Sequence, residues 1–369
     1  MFSNMALWLQ LILASLLAFL VSYFMTPYVK RFAELVGAVD QPSARRINTV
    51  PIPRMGGLAI FLGFVLTALL FAPLNTQVTG IMLGAAIIAM MGEVDDIVSL
   101  NPWIKLAGQI VAAVVVIRCG VVFSAISNLN PLSEVTTIEI GWLSLPLTVL
   151  WIVACTNAVN LIDGLDGLAV GVSAISSLTM LVVSLFVSEP VVSLLLAILT
   201  GACLGFMPYN LNPAKIFMGD VGSQLLGFVL STVSILGLFK MHTIITFLVP
   251  LLALALPLAD TTFAFFRRIL RGQSPFHPDR GHLHHRLLAL GLSQKQAVAV
   301  MYGISAILGL SAVLMTGDSP LLRIGCLVLA FGISITVWLY VFRKNPKLRL
   351  GRRENGEAAE AADEGGKQL

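Results

Sequence analysis

The sequence predicts an all-α, polytopic integral membrane protein, and three observations carry this prediction. Hydrophobic residues make up 57% of the 369 residues and charged residues only 11%, against roughly 25% charged residues in a typical soluble domain. The mean hydropathy is +0.91. Apolar segments of about 20 residues, the length an α-helix needs to cross a bilayer, recur along the chain. A soluble enzyme is excluded because it could not bury so much apolar surface, and a disordered chain would have far less of it.

Eleven apolar segments are predicted to span the membrane. They are residues 5–27, 55–73, 78–93, 103–122, 142–162, 168–187, 191–208, 222–239, 243–266, 298–316 and 321–342. They form one membrane-embedded domain over residues 1–342. Residues 343–369 begin basic and become acidic and rich in Ala and Gly, a composition that cannot build a core, so we expect a disordered cytoplasmic tail.

The distribution of Lys and Arg predicts the orientation of the chain. If the first connecting loop is cytoplasmic, all but three of the 23 Lys and Arg residues lie on that side, and the exceptions are Arg118, Lys240 and Arg323. This asymmetry follows the positive-inside rule. It places the N-terminus outside, on the periplasmic side, and the C-terminus in the cytoplasm, as an odd number of helices requires.

Most carboxylates outside the tail fall on the same, cytoplasmic side as the basic residues. The loops that carry them are residues 28–54, 94–102, 163–167, 209–221 and 267–297. Ionisable groups at membrane depth are costly and are usually functional. The sequence therefore predicts a polar site that these loops form together at the cytoplasmic surface.

Two of these loops carry charges whose partners the sequence leaves open. Arg45 and Arg46 belong to a proline-containing basic loop, which either binds an anionic headgroup or only reflects the positive-inside bias. Asp95 and Asp96 are adjacent in a helix and therefore point about 100° apart. We expect them to address different partners, such as a metal ion and a hydrogen-bond network.

The polar run from Asn157 to Gly167 ends an apolar helix. Asn157, Asn160 and Asp163 are spaced by three and share a helical face. Hard oxygen ligands with room for water suit Mg²⁺, which prefers few carboxylates together with substrate phosphates. The alternative is a capped turn between helices. A second polar run, from Phe217 to Ser223, opens the eighth predicted helix. Its Asp220 could be the N-cap of that helix, a metal ligand, or both.

Four of the five histidines lie within the nine residues from His277 to His285. Zinc is one reading of this loop, since imidazole is a common zinc ligand. An anion-binding loop fits better, because Arg280 and Arg286 would oppose a cation and because Arg and His donate hydrogen bonds to phosphate.

Together these runs resemble a known family. The stretches NAVNLIDGLDGLA, FMGDVGS, VDD with a downstream lysine, and SPFHPDRGHLHHRL are similar to those of the bacterial polyprenyl-phosphate N-acetylhexosamine-1-phosphate transferases of the glycosyltransferase 4 family. The resemblance extends from Asp40 to about Gln294. The HLHHRL form of the last loop favours the branch that uses undecaprenyl phosphate and N-acetylglucosamine over the phospho-MurNAc-pentapeptide transferases.

The resemblance implies a role for each matching residue. It implies Mg²⁺ (or Mn²⁺) as cofactor, with Asp220 and Asn160 as metal ligands, and we expect Asp95 to join them. The remaining roles are catalytic for Asp95, Asp96, Asp163 and Asp166, and substrate-binding for Lys105, Asn157, Phe217, Arg280, His282, His284 and His285, with Arg45 and Arg46 as further candidates from the basic loop. One departure is Asn48, where many relatives have histidine.

The reaction that the resemblance implies is transfer of N-acetylhexosamine-1-phosphate, with GlcNAc as the expected sugar, from a UDP-sugar to undecaprenyl phosphate with release of UMP. Such an enzyme lies in the bacterial cytoplasmic (inner) membrane with its active site facing the cytoplasm. It would initiate a cell-envelope glycan such as O-antigen lipopolysaccharide or a cell-wall polymer. No nucleic-acid partner is expected, and a homodimer is compatible with the family. The rival reading is a secondary transporter, in which polar groups lie near the bilayer midplane on repeats.

Overall fold

The computed structural model describes residues 2–42, 50–123, 125–127, 137–237, 244–270, 272 and 281–316, and the single positions 325, 328 and 332. These residues are mostly helical, as the sequence predicts. The helices are α1 (Phe2–Leu35), α2 (Gly57–Phe71), α3 (Thr76–Val98), α4 (Pro102–Arg118), α5 (Ser144–Ile162), α6 (Leu168–Phe186), α7 (Pro190–Asn210), α8 (Gly219–Leu236), α9 (Ile244–Ala253), α10 (Ala255–Leu270), α11 (Leu283–Ala289) and α12 (Gln294–Leu314).

Four short strands form two antiparallel pairs in this part of the chain. Strand β1 (Val39–Asp40) pairs with β2 (Ile52–Pro53), and β3 (Ala125–Ser127) pairs with β4 (Thr137–Glu139). The first pair matters for the site, because it joins the residues that follow α1 to those that precede α2 at one end of the helical bundle.

Helix α8 is the centre of the bundle, since each of its residues from Val221 to Leu236 is buried. It packs against α3 and α5, while α7 packs against α1 and α6. The outer helix α1 instead exposes apolar side chains such as Leu9, Ile12 and Leu16. Six of the described helical segments are long and apolar enough to cross a membrane, and α2 is a shorter apolar helix. The chain is a multi-pass membrane protein.

Several helices extend past the ends that hydropathy predicts, and α1 and α3 do so the furthest. Helix α1 continues from residue 27 to Leu35, and α3 continues through Asp95 and Asp96 to Val98. The predicted loop 94–102 is therefore helical except at residues 99–101. Ser99 ends α3 with a left-handed backbone, at φ 53°. The difference arises because hydropathy marks the length of chain in lipid, whereas backbone hydrogen bonding continues a helix beyond it.

The predicted segment 243–266 is two helices, α9 and α10, which are separated at residue 254. Pro257 lies in the first turn of α10, where a residue without an N–H group is tolerated. The segment 321–342 lies outside the described residues except at positions 325, 328 and 332, and the tail from residue 343 lies wholly outside them. The count of eleven spans, the orientation of the termini and the disordered tail stay predictions.

Glycines allow α1 and α7 to approach closely. A Cβ atom at Gly201 would overlap the carbonyl oxygen of Ser15, and one at Gly205 would overlap the carbonyl oxygen of Phe19. Small residues at such interfaces let helix backbones pack together in a membrane, where burial of apolar surface provides little driving force between helices. The contact between α1 and α7 therefore depends on the absence of these two side chains.

We expect Gly201→Ala to lower the thermal unfolding temperature by several degrees, because overpacking costs about 1–3 kcal/mol. Unfolding in detergent, followed by tryptophan fluorescence, measures it. Gly303→Ala in α12 is the matched control, since a Cβ atom there would meet no other atom within 4 Å. Equal unfolding temperatures for the two variants would contradict the close packing.

Candidate active site

A cavity of about 510 Å³ lies at one end of the bundle. The ends of α3, α5 and α7 and the beginnings of α6, α8 and α12 meet around it. Five carboxylates from separate parts of the chain line it, namely Asp40, Asp96, Asp163, Asp166 and Asp220. The sequence predicts a polar site that several loops form together, and within the described residues this cavity brings such loops together. Its position at a membrane surface stays a prediction.

Asp220, in the first turn of α8, joins three helices through its carboxylate. Its Oδ1 accepts a hydrogen bond from Asn160 Nδ2 of α5 at 2.7 Å, and its Oδ2 accepts one from Lys105 Nζ of α4 at 3.0 Å. Gly219 precedes it with φ 72°, and a side chain there would overlap the carboxylate of Asp96. The glycine is therefore required both for the turn and for the approach of the two acids.

Asp95 and Asp96 address different partners, as their adjacent positions on a helix lead one to expect. Asp95 Oδ2 accepts a hydrogen bond from Lys105 Nζ at 2.8 Å, and its Oδ1 accepts one from the N–H of Leu100 at 2.6 Å. Asp96 accepts hydrogen bonds from the N–H groups of Asp220 and Val221 at 3.1 and 3.4 Å. Asp96 lines the cavity, and Asp95 is connected to the cavity residue Asp220 through Lys105. The roles of Asp95 as metal ligand and catalytic residue stay predictions.

Lys105 therefore bridges two carboxylates. Its Nζ forms ion pairs with Asp95 and Asp220 at 2.8 and 3.0 Å, and it does not line the cavity. The predicted phosphate contact of Lys105 stays a prediction. The structure shows a lysine that neutralises part of the charge on Asp220.

Asp163 and Asp166 follow the end of α5 and face the cavity. Burial, together with the neighbouring carboxylates of Asp220, Asp96 and Asp166, raises the pKa of Asp163 from 3.8 to about 8. Asp166 Oδ2 accepts hydrogen bonds from Asn212 Nδ2 at 2.9 Å and from the N–H of Ala214 at 3.0 Å. The cavity therefore crowds acidic groups together, and in the absence of a cation Asp163 is largely protonated at neutral pH.

Asn157 lies one helical turn below Asn160, inside the bundle and away from the cavity. Its Nδ2 donates a hydrogen bond to Gln109 Oε1 at 2.6 Å, and Gln109 Nε2 donates one to Gln224 Oε1 at 2.9 Å. Gln109 and Gln224 are almost completely buried. This amide network connects α4, α5 and α8 directly beneath the site. The predicted substrate contact of Asn157 stays a prediction.

The described part of the histidine loop reaches the cavity through α11. His285 lines the cavity, and His284 lies against Gly164 in the loop after α5. His284 and His285 have ring centroids 4.2 Å apart. Burial lowers the pKa of His284 to about 3, so this imidazole is neutral at physiological pH. His284 therefore contributes shape to the site rather than positive charge.

His282 is held by a carboxylate that the sequence reasoning did not assign to the site. Asp260 of α10 lies 2.9 Å from His282 Nδ1 through its Oδ2, and its Oδ1 accepts a hydrogen bond from the N–H of Leu283 at 2.8 Å. These contacts anchor the beginning of α11. A lone acid in an apolar helix is the signal that could have identified Asp260.

Of the other predicted residues, one lines the cavity and the rest lie outside the described part of the chain. Phe217 lines the cavity, and its N–H donates a hydrogen bond to Pro53 O at 2.8 Å. Arg45, Arg46, Asn48 and Arg280 lie outside the described residues, so their roles stay predictions. Cavity residues that the sequence reasoning missed are Arg54, Asn210, Asn212 and Gln294. They occur singly in ordinary loop and helix-end positions, where no spacing pattern marks them.

The donor set fits a hard divalent cation. Among the described residues, no three Asp, Glu, His or Cys side chains converge on one point as they would in a dedicated protein cage. Mg²⁺ does not need such a cage, since it is bound by one or two carboxylates together with waters and substrate phosphates. Asp220 beside the neutral amide of Asn160, in a cavity with four further carboxylates, provides that kind of donor set.

Comparison with known proteins identifies the family. Residues 78–238 match the family described as glycosyl transferase family 4. A Bacillus subtilis protein named probable undecaprenyl-phosphate N-acetylglucosaminyl 1-phosphate transferase is 41% identical over 90% of this chain and 88% of its own length. The decaprenyl-phosphate N-acetylglucosaminephosphotransferase of Mycolicibacterium smegmatis is 35% identical over 90% and 87%.

A more distant relative covers a smaller part of the chain. The undecaprenyl-phosphate alpha-N-acetylglucosaminyl 1-phosphate transferase of Escherichia coli K12 is 27% identical over 78% of this chain and 79% of its own length. The family match runs from α3 to α8, and it therefore includes Asp95, Asp96, Lys105, Asn160 and Asp220. On this evidence the chain belongs to glycosyl transferase family 4.

Proposed function

We propose that the chain transfers N-acetylglucosamine-1-phosphate from UDP-N-acetylglucosamine to undecaprenyl phosphate, forming a lipid-linked diphosphate sugar and releasing UMP. One observation carries the proposal: carboxylates far apart in the sequence converge on a single cavity at one end of a membrane bundle. The names of the relatives indicate the transferred group, N-acetylglucosamine-1-phosphate, and the acceptor, a polyprenyl phosphate. The UDP donor follows from the motif resemblance in the sequence.

Mg²⁺ (or Mn²⁺) bound at this cavity would supply Lewis-acid stabilisation of phosphate charge. Asp220 and Asn160 are the residues that would hold it. Lys105 supports Asp220 from behind, because its ammonium group fixes one carboxylate oxygen at 3.0 Å. The asparagine contributes an oxygen without adding charge, and this limits repulsion between the protein and two phosphorylated substrates.

The acceptor does not require a general base from the protein. A phosphate monoester has a second pKa of about 6, so most of the acceptor is already ionised at neutral pH. We infer direct in-line attack by an acceptor phosphate oxygen on the sugar-linked phosphorus of the donor, with UMP leaving. Asp96, Asp163 and Asp166 then position the loops around the reacting groups. The competing route passes through a covalent intermediate on an aspartate.

The position of the cavity supports an active site at the cytoplasmic face of the bacterial inner membrane. It lies at the end of the bundle that the Lys and Arg distribution assigns to the cytoplasm, where a soluble sugar nucleotide meets a membrane lipid. A transporter would need its polar groups near the middle of the bilayer. The expected pathway is the first membrane step of a cell-envelope glycan, such as O-antigen or a cell-wall polymer.

The direct test is an assay of the purified protein with radiolabelled UDP-N-acetylglucosamine, undecaprenyl phosphate and MgCl₂. We expect butanol-extractable labelled lipid and an equal amount of UMP, and neither product in EDTA. UDP-N-acetylgalactosamine, UDP-glucose and UDP-MurNAc-pentapeptide form the comparison panel. If labelled lipid forms only with the pentapeptide donor, that donor and not UDP-N-acetylglucosamine is the substrate. If no donor gives labelled lipid, the proposed function is wrong.

Asp220→Asn is expected to lower kcat/KM by about 100-fold or more, because it removes the charge that holds both the cation and Lys105. The same lipid-labelling assay measures this loss. Glu189→Gln is the matched control, since Glu189 precedes α7 at the opposite end of that helix from the cavity. If the Asp220→Asn variant folds and is as active as the control, Asp220 is not an active-site residue.

The direct route predicts that labelled UMP does not enter UDP-N-acetylglucosamine when acceptor lipid is absent. This follows because the donor bond breaks only when the acceptor attacks. The measurement uses extensively delipidated protein, with the lipid-linked diphosphate sugar added back as the positive control for exchange. Exchange without lipid would show that the sugar phosphate is held covalently by the protein, and it would establish the competing route.

The raised pKa of Asp163 predicts how stability without divalent cations depends on pH. Between its ordinary value of 3.8 and its folded value of about 8, the folded state binds more protons than the unfolded state, so stability falls as pH rises through this window. In EDTA, the unfolding temperature of the unaltered chain should fall between about pH 5 and about pH 7, and that of Asp163→Asn should fall less. MgCl₂ should stabilise the unaltered chain more at the higher pH. Identical slopes for the two proteins would contradict the assignment.

A further inference from the structure

We propose that Arg54 binds a phosphate group of a substrate in the cavity. The proposal rests on the proposed function, because that function brings a diphosphate and a phosphate monoester into this space. It names a residue that neither the motif resemblance nor the matched family segment assigns, since Arg54 precedes residue 78, where that segment begins.

The balance of charge around the cavity is the first argument. Five carboxylates line the cavity, and among the described residues Arg54 is the only Lys or Arg that lines it with them. Lys105 is not among the lining residues, and it is engaged by Asp95 and Asp220. His284 is neutral because burial lowers its pKa to about 3. A phosphate entering the described cavity therefore has one permanently charged side chain to contact.

The backbone around Arg54 holds the residue in a fixed position. Its N–H donates a hydrogen bond to Ala38 O at 2.9 Å, which continues the pairing of β1 with β2. The next residue, Met55, is fully buried and has φ 95°. Two residues on, the N–H of Gly56 donates a hydrogen bond to Phe217 O at 2.9 Å. Arg54 is therefore anchored on both sides, between β2 and the segment that leads into α8.

The Nε nitrogen of Arg54 orients the guanidinium group, and within the described part of the chain the two terminal nitrogens can donate to a ligand. Nε donates a hydrogen bond to the backbone oxygen of Asp96 at 2.9 Å, and it lies 3.8 Å from Asp96 Oδ1. The two terminal nitrogens of Arg54 form no hydrogen bond with any residue that the structure describes. The side chain retains 25% exposure. A guanidinium group presents paired N–H donors that match phosphate oxygens, and orientation in advance reduces the entropy lost on binding.

A purely structural role is the competing explanation, since Arg54 also links β2 to the end of α3. The two explanations differ in what they predict. A structural link affects unfolding and the binding of every ligand alike. A phosphate contact affects ligands that carry phosphate and leaves the binding of a nucleoside unchanged.

The test compares UDP, pyrophosphate and uridine binding to Arg54→Gln by calorimetry, with MgCl₂ and separately in EDTA. We expect the dissociation constants of UDP and pyrophosphate to rise about 10-fold or more, as for loss of a charge-assisted hydrogen bond, and that of uridine to stay unchanged. Arg54→Lys should recover part of the affinity because it keeps the charge but not the paired donors. Arg31→Gln is the matched control, since Arg31 is an exposed residue of α1.

Steady-state assays then identify which substrate the residue contacts. A higher KM for the sugar nucleotide alone assigns Arg54 to the donor diphosphate, and a higher KM for undecaprenyl phosphate alone assigns it to the acceptor phosphate. Equal weakening of uridine and UDP with a lower unfolding temperature would overturn the proposal in favour of a structural role. Unchanged UDP and pyrophosphate binding together with unchanged KM values would overturn it outright.

The binding measurements also separate this inference from the proposed function. If the unaltered chain makes no labelled lipid but Arg54→Gln still loses pyrophosphate and UDP affinity selectively, the proposed reaction fails and the phosphate site remains. If labelled lipid forms and the selective loss is absent from both binding and KM, the reaction remains and the role of Arg54 fails.

Discussion

The contact between the end of α3 and the beginning of α8 is the constraint on which the rest of the site depends. Asp96 accepts hydrogen bonds from the N–H groups of Asp220 and Val221, which are free at the start of a helix and favour a negative partner. Because Gly219 has no side chain, the carboxylate can reach them. This contact places Asp220 where Asn160 and Lys105 can bind its two carboxylate oxygens.

The surrounding bundle makes this arrangement rigid. Helix α8 is buried along its length and packs against α3 and α5, which carry Asp96 and Asn160. Beneath the site, Gln109, Asn157 and Gln224 connect α4, α5 and α8 through side-chain amides. Polar groups in a low-dielectric interior need partners, since an unpaired one is costly. The network therefore supports the register of the three helices that carry the site, and it does so without adding charge.

Charge explains the chemistry that the cavity can support. Carboxylates crowded at the end of a membrane bundle repel one another, and the raised pKa of Asp163 expresses that repulsion together with burial. A divalent cation relieves it and in turn attracts phosphate, so an acidic cavity becomes suited to negatively charged substrates once the cation is bound. A fixed arginine in the same wall fits this reasoning, because phosphate oxygens not bound to the cation still need donors.

The sequence by itself determined the helical membrane fold and the residues of the polar runs, since hydropathy and carboxylates at membrane depth are local properties. Asp96 and Asn160 could be named in this way before any coordinates. Only the tertiary structure decided that Asp95 shares Lys105 with Asp220, that Asp260 holds His282, and that Arg54 lines the cavity with the acids. Those facts depend on which helix ends meet, and long-range packing rather than any repeated spacing along the chain decides that.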